Sequence, residues 1–222
     1  MILTVCGGKG GVGKSTVALA LGHALDAVVV DADVGMPDLP SDAGPTLRDV
    51  VAGRVPAAEA IRDDWAVAVV PADRSLAASR ELDPVGVGEA LQAIERAGDT
   101  VVVDGPAGLG ADAAVPMTVA DACVLVTTPT TPAIADAVRT RAVARELETG
   151  IGAVVLNRVG DERPPVEKRL GGPVVALPES DAVARATAQG LPVTLSSPDG
   201  DAAETIRSLA ARLRRVTRRS RF

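Results

Sequence analysis

The sequence predicts an α/β fold in which a mostly parallel, doubly wound sheet is flanked by helices. Seven short apolar runs alternate with helical stretches, at 2–6, 28–30, 67–70, 101–103, 122–126, 151–156 and 173–176. Hydrophobic residues make up 47% of the 222 residues, yet only Trp65 and Phe222 are aromatic. The core must therefore be aliphatic, as is typical of a sheet buried on both faces. Since no linker divides the chain, we expect one domain over 1–222.

The first strand leads directly into a glycine-rich loop. Residues 8–15 read Gly-Lys-Gly-Gly-Val-Gly-Lys-Ser, and an Ala/Leu-rich stretch follows from Val17 to Leu25. In this strand–loop–helix context the spacing predicts a phosphate-binding loop, in which Lys14 reaches the β/γ-phosphates and the Ser15 hydroxyl holds Mg²⁺. Backbone N–H groups and the helix dipole complete the anion site. The predicted contacts to a nucleoside triphosphate come from Gly8, Gly10, Gly11, Val12, Gly13, Lys14, Ser15 and Thr16.

Lys9 distinguishes this loop from most others of its kind. It cannot fold back on the same phosphates as easily as Lys14, so it is free to point toward a nucleotide held by another subunit. Residues 9–16, KGGVGKST, match the deviant Walker A motif letter for letter, and the chain thereby resembles the MinD/ParA family of ATPases. In that family the extra lysine crosses the interface of an ATP-sandwich dimer. The resemblance implies a homodimer in the ATP state, with Lys9 as a catalytic contact.

Two of the predicted strands end in carboxylates. The run 28–30 continues into Asp31 and Asp33, and the run 101–103 continues into Asp104 and a Gly-Pro turn. Carboxylates at the carboxyl ends of parallel strands lie beside the phosphate loop. We expect Asp31 and Asp104 to reach Mg²⁺ and Asp33 to orient the attacking water. The family has Asn where this chain has Asp38, so this acid adds a negative charge near the expected interface.

The end of the run 151–156 predicts the base that is bound. A common GTP site reads Asn-Lys-x-Asp, whereas this chain reads Asn157-Arg158-Val159-Gly160 and lacks the acid that pairs with guanine. Adenine is therefore favoured. An Asn at this position contacts adenine in the family, which implies that role for Asn157. Residues 178–181, Pro-Glu-Ser-Asp, resemble the family segment at the rim of the base pocket, which implies a contact from Pro178.

The cysteines and the single histidine exclude other chemistries. Cys6 and Cys123 both fall in predicted strands, so we expect buried thiols and no iron–sulfur cluster. His23 lies in the first predicted helix, is expected to be packed or partly exposed, and cannot hold a metal alone. No signal peptide or membrane span is apparent, so we expect a cytoplasmic protein. Peripheral attachment to the inner face of the membrane is a second option.

The C-terminal segment is strongly basic. The chain has a formal net charge of −6, but residues 207–222 contain seven arginines and no acid. An apolar stripe at helical spacing predicts a last helix that packs on the sheet, formed by Ile206, Leu209, Ala210, Leu213 and Val216. The alternative is an element that binds anionic lipid or, without sequence preference, DNA. The sequence does not decide between these.

The resemblance implies a slow ATPase that acts as a positional switch. Lys9, Lys14 and Asp33 would serve hydrolysis, and an activating protein partner would complete the site. Such a switch would determine the position of a division site, a chromosome or plasmid, or a polar assembly in the cell. Alternatives are a ParA-type DNA partition ATPase, a P-loop ligase that uses ATP in biosynthesis, or a nucleotide-binding scaffold with little hydrolysis, which Asp38 would favour.

Overall fold

The computed structural model describes residues 1–33, 35–37, 39, 44–73, 82–160 and 166–220, with side chains up to residue 217. Within these residues, seven strands alternate with ten helices. The strands are β1 Ile2–Cys6, β2 Val28–Asp31, β3 Val69–Val70, β4 Val101–Asp104, β5 Ala122–Thr127, β6 Ile151–Val159 and β7 Val174–Pro178. The helices are α1 Lys14–Leu25, α2 Leu47–Val51, α3 Ala57–Ala60, α4 Pro84–Gly98, α5 Ala111–Thr118, α6 Thr131–Glu146, α7 Glu167–Leu170, α8 Asp181–Ala188, α9 Val193–Ser196 and α10 Asp201–Ser220.

All seven strands form one parallel sheet in the order β3-β2-β4-β1-β5-β6-β7. The predicted fold class and the seven predicted strands are confirmed. Only β1 has the predicted bounds, and the largest differences in length are in β3, which contains only Val69–Val70, and in β6, which continues to Val159. The connection from β1 leads to β2 on one side, whereas the connection from the adjacent β4 leads to β5 on the other side, so the strand order reverses between β1 and β4. Ligands of such sheets bind at this point, outside the carboxyl ends of the strands.

Side chains alternate in direction along each strand, so the sheet has two apolar faces. Helices cover both of these faces. Leu3 and Val5 of β1 pack with α1 and α10, in a cluster that also contains the inward residues of α9. Ile2 and Cys6 face the other side, where α4, α6 and α7 cover the sheet. Cys6 and Cys123 are buried free thiols, as predicted.

The last helix, α10, packs on α1 and the sheet. Four of the five residues of the predicted apolar stripe are buried there, and the fifth is not. Ile206, Leu209 and Leu213 are at most 2% exposed, whereas Val216 is 40% exposed. The prediction for Val216 was wrong, because Thr217 takes the inward position and donates its hydroxyl to the carbonyl of Leu213. Within the described residues, no helix is both long and apolar enough to cross a membrane.

Candidate nucleotide-binding site

The glycine-rich loop joins the central strand β1 to helix α1. Gly13 is the N-cap of α1 with a φ of 100°, and no described side chain caps this helix. The N–H groups of the first helical turn lack partners within the helix. They are therefore available to an anion, which the positive end of the helix dipole also favours.

The two loop lysines lie in opposite environments. Lys14 is 7% exposed and has no ion-pair partner among the residues that the structure describes. A buried ammonium without a counter-ion is costly, and an anionic ligand would supply that counter-ion. Lys9, in contrast, is exposed. A phosphate contact from Lys14 and a contact from Lys9 to a second subunit stay predictions.

Ser15 and Thr16 follow in the first turn of α1 and are half-buried. The Thr16 hydroxyl lies 3.2 Å from the Thr187 hydroxyl of α8. Because Thr187 already donates to the Val183 carbonyl, Thr16 is the donor of this bond. The Thr16 side chain therefore ties α1 to α8, and a nucleotide contact from this residue is expected from its main-chain N–H.

Asp31 and Asp104 form a buried carboxylate pair beside the loop. They are register partners on the neighbouring strands β2 and β4, and each is 1% exposed. Desolvation, and next the charge of Asp104, raise the pKa of Asp31 to about 8. The Asp31 carboxylate accepts hydrogen bonds from the N–H groups of Asp33 at 3.0 Å and Leu39 at 3.3 Å, which oppose that shift. The two carboxyl groups therefore lie in a buried environment that would favour a nearby positive charge.

The donor set suits Mg²⁺ held partly by a nucleotide. The hydroxyl of Ser15 and the carboxylates of Asp31 and Asp104 are the hard oxygen ligands that Mg²⁺ prefers. No group of three or more His, Cys, Asp or Glu side chains able to hold a metal occurs among the described residues. Mg²⁺ usually takes its remaining ligands from phosphate and water.

Asp33 is held in a local turn just beyond β2. One of its carboxylate oxygens accepts a hydrogen bond of 3.0 Å from the Met36 N–H, and the residue is half-buried. The second carboxylate oxygen has no bond among the described residues, so water orientation by Asp33 stays a prediction. Asp38 lies outside the described residues.

Asn157 lies beneath the loop at the end of β6 and is 5% exposed. Its Nδ2 donates to the Val12 carbonyl at 2.9 Å, and its Oδ1 accepts from the Arg158 N–H at 3.0 Å. A carboxamide has two donors and two acceptor positions, so one of each is left for adenine. The bond to the loop did not follow from the sequence, because 145 residues separate its partners.

Pro178 lies on the neighbouring strand at the same edge of the sheet. It is the register partner of Val159 and is exposed, and the Glu179 N–H donates to the Val159 carbonyl at 3.2 Å. The structure therefore brings Asn157 and Pro178 to adjacent strand ends. Their contacts with a base remain predictions.

Helix α6 supports the loop from the other side. A Cβ placed on Gly8 would lie 2.7 Å from the Cβ of Asp136 and 2.7 Å from its carbonyl oxygen. Gly8 therefore permits a close approach between the loop and the backbone of α6. Sequence reasoning gave Gly8 only a phosphate-facing role, since nothing local in the sequence indicates which helix packs there.

Comparison with known proteins supports the predicted resemblance. The model of the CobQ/CobB/MinD/ParA nucleotide binding domain family matches residues 3–193. An uncharacterized ATP-binding protein of Methanocaldococcus jannaschii is 33% identical over 228 residues, which cover 95% of this chain and 86% of that protein. The septum site-determining protein MinD of Thermotoga maritima is 26% identical, over 96% of this chain and 88% of its own.

Two solved structures are similar over nearly their whole length. The cell division ATPase MinD of Pyrococcus furiosus has a TM-score of 0.87 and 29% identity, and the match covers 97% of this chain and 98% of that chain. The septum site-determining protein MinD of Pyrococcus horikoshii, complexed with Mg-ADP, has a TM-score of 0.87 and 27% identity, over 97% and 96%.

Proposed function

The chain belongs to the CobQ/CobB/MinD/ParA family of nucleotide-binding domains, and on that premise we propose that it is an ATPase of the MinD type that dimerises with ATP. ATP and water would give ADP and phosphate, and the dimer would act as a positional switch. The observation that carries this proposal is the contrast between the two loop lysines. Lys14 is buried in the first turn of α1, where phosphates would lie, whereas Lys9 is exposed and would be free to reach the nucleotide of a second subunit.

The surface around Lys9 suits a second copy of the chain. Met36 follows β2 and is 67% exposed, and Leu109 follows β4 and is 42% exposed. Both loops leave the carboxyl edge of the sheet beside the phosphate-binding loop, since β2, β4 and β1 are neighbours. Exposed apolar side chains at a functional edge are typical of an interaction surface. They support a face-to-face dimer with the nucleotides between the subunits.

The chemistry would depend on positioning more than on covalent catalysis. Gly8, Gly10, Gly11, Val12, Gly13 and Thr16 would offer main-chain contacts to the phosphates, as phosphate loops generally do. Lys14, and Lys9 of the opposite subunit, would stabilise negative charge on the transferred phosphoryl group, while Asp33 orients the water. Mg²⁺, when bound near Ser15, Asp31 and Asp104, would neutralise phosphate charge. Asn157 and Pro178 would contact the adenine.

Hydrolysis would be slow until an activating protein completes the site. Asp33 is the only proposed water-positioning group, and one of its oxygens is engaged by Met36. A switch needs such a delay, because the dimer has to persist until its partner arrives. Dissociation after hydrolysis would release the bound surface or cargo.

The platform to which the dimer attaches is a separate part of the proposal. Among the described side chains, α10 exposes Arg207, Arg212 and Arg215 outside its packed stripe, while the guanidinium of the exposed Arg214 donates to the Leu25 carbonyl at the end of α1. Anionic lipid would suit these exposed arginines, as would the phosphates of DNA in a ParA-type partition ATPase. The relatives named as septum site-determining or cell division proteins favour the MinD type for this chain.

Lys9→Ala tests the dimer directly. Wild-type protein with ATP should elute as a dimer and with ADP as a monomer, whereas Lys9→Ala should stay monomeric with both and bind ATP nearly as tightly. The matched control is Lys168→Ala, which removes an exposed lysine on α7, at the opposite end of the strands. A Lys9→Ala variant that dimerises with ATP like the wild type would contradict the proposed role of Lys9.

The platform is tested by co-sedimentation with anionic liposomes and, separately, with duplex DNA, each with ATP and with ADP. Binding to liposomes that needs both ATP and Lys9 would support a membrane switch. Binding to DNA with the same requirements would support the partition alternative. Rapid ATP turnover with a small carboxylate substrate, and no ATP-driven dimer, would instead support the ligase alternative.

A further inference from the structure

The outer part of the phosphate-binding loop, at Gly10 and Gly11, has little support from packing, although α6 approaches Gly8 and the Val12 side chain is buried. Val12 lies between Gly11, with a φ of 76°, and Gly13, with a φ of 100°. Glycine adopts such values as readily as negative ones, so it permits this conformation without enforcing it. A Cβ on Gly10 or Gly11 would meet nothing within 4 Å. The outer half of the loop is thus unsupported by packing.

Asn157 supplies support from beneath, at the residue between those two glycines. This residue is the only asparagine in the sequence, and its Nδ2 donates to the Val12 carbonyl at 2.9 Å in a buried environment. A Cβ on Gly13 would lie 2.3 Å from that nitrogen. The missing side chain of Gly13 therefore leaves the space that the Asn157 carboxamide fills.

The backbone that follows Asn157 is strained, and its first N–H orients the carboxamide. Arg158 has a φ of 56°, a left-handed conformation that is unfavourable for a residue with a side chain. The register between β6 and β7 also shifts between Leu156 and Val159. The Arg158 N–H bonds to the Asn157 Oδ1, which fixes the orientation of the carboxamide so that its Nδ2 faces the loop. Strain of this kind persists where the surrounding structure requires it, and it is common at functional sites.

We infer that Asn157 is a positioning residue that holds the phosphate-binding loop in its binding conformation before the nucleotide arrives. This inference rests on the proposed function, because it concerns the same ATP site. It goes beyond an adenine contact, since the Asn157–Val12 bond joins two groups of this chain and includes no atom of a base. Affinity for phosphates should therefore depend on Asn157 even when the ligand carries no base.

Tripolyphosphate with Mg²⁺ is the probe that separates the two roles. Affinities of the full chain for ATP and for tripolyphosphate are measured by calorimetry, with displacement of a fluorescent ATP analogue where binding is weak. Asn157→Ala should weaken tripolyphosphate binding by a factor of about ten, because one hydrogen bond to the loop is lost, and should weaken ATP binding at least as much, because the proposed contact with adenine is lost as well. A residue that acted only on the base would weaken ATP alone and leave tripolyphosphate unchanged, which would overturn the inference.

Thr149→Val is the matched control. The Thr149 hydroxyl donates to the Met117 carbonyl at 2.7 Å in a buried environment, so the variant loses a bond of the same kind outside the loop. It should lose stability while keeping both affinities. Equal losses of tripolyphosphate affinity in Thr149→Val and Asn157→Ala would mean that general destabilisation is the cause, and would overturn the inference.

Hydrogen–deuterium exchange of residues 8–14 without nucleotide gives a second readout. Exchange should be faster in Asn157→Ala than in the wild type and unchanged in Thr149→Val; equal exchange in all three would overturn the inference. If Asn157→Ala does not fold, Asn157→Ser takes its place, since it leaves a smaller cavity and its hydroxyl stops short of the Val12 carbonyl. Wild-type protein that binds neither ligand would refute the proposed function itself, whereas intact wild-type binding with unaltered variants refutes only the positioning role.

Discussion

Replacing Gly8 by alanine is expected to destabilise the protein through a clash with α6. The added Cβ would lie 2.7 Å from the Asp136 Cβ, 2.7 Å from the Asp136 carbonyl oxygen and 2.9 Å from its carbonyl carbon. Two of these atoms belong to the helix backbone, so rotation of a side chain cannot relieve the contact. Either the loop or the helix must move, and overpacking of this kind costs about 1–3 kcal/mol.

For a domain of this size, the same loss corresponds to a decrease of about 2–12 °C in the melting temperature. The measurement is denaturant and thermal unfolding without nucleotide, so that ligand binding does not contribute. Gly10→Ala is the matched control, because a Cβ there meets nothing within 4 Å and Gly10 does not have a positive φ. If Gly8→Ala and Gly10→Ala unfold at the same midpoint, α6 does not approach the loop as closely as described.

Two further predictions concern the buried acids and the last helix. Because burial raises the pKa of Asp31 to about 8, the folded protein retains a proton that the unfolded chain loses near its ordinary pKa of about 4. Without Mg²⁺ and nucleotide, the free energy of unfolding should therefore fall as pH rises between these two pKa values, by up to ~4 kcal/mol from pH 4 to pH 7. In Asp31→Asn the free energy of unfolding should depend less on pH. If its slope against pH is the same as in the wild type, the pKa of Asp31 is not raised. Leu213 is fully buried, so Leu213→Ala should lower the free energy of unfolding by about 2–5 kcal/mol. Val216→Ala should change it by less than about 0.5 kcal/mol. Equal losses in denaturant unfolding would show that the last helix packs differently.

The strands were predictable because their signal is local. Val28–Val30 and Val101–Val103 are uninterrupted β-branched runs that end in an acid, and both form interior strands of the sheet. The positions of Asp31 and Asp104 at the strand ends followed from the same runs. Their register partnership did not, because it depends on which strands are neighbours in the sheet.

The error at Val216 shows a limit of helical periodicity. Positions 216 and 217 both continue the spacing after Leu213, and hydropathy alone favours the valine. In the fold, however, the N-terminal residue lies beside this turn, and the Thr217 hydroxyl contacts the Met1 Sδ at 2.8 Å and the Leu213 carbonyl at 3.0 Å. A polar residue can occupy the inward position because its hydroxyl is satisfied there.

The glycines of the phosphate-binding loop are required for different reasons. The sequence motif by itself does not indicate these reasons. Gly8 is required by the approach of α6, and Gly13 both by its φ of 100° and by the Asn157 carboxamide. Gly11 is required by its φ of 76°. Gly10 has neither a close neighbour nor a positive φ, so nothing in the protein alone explains a glycine there. The remaining physical reason is close approach of a ligand to the backbone, and alanine at position 10 should therefore weaken nucleotide binding while leaving the fold intact.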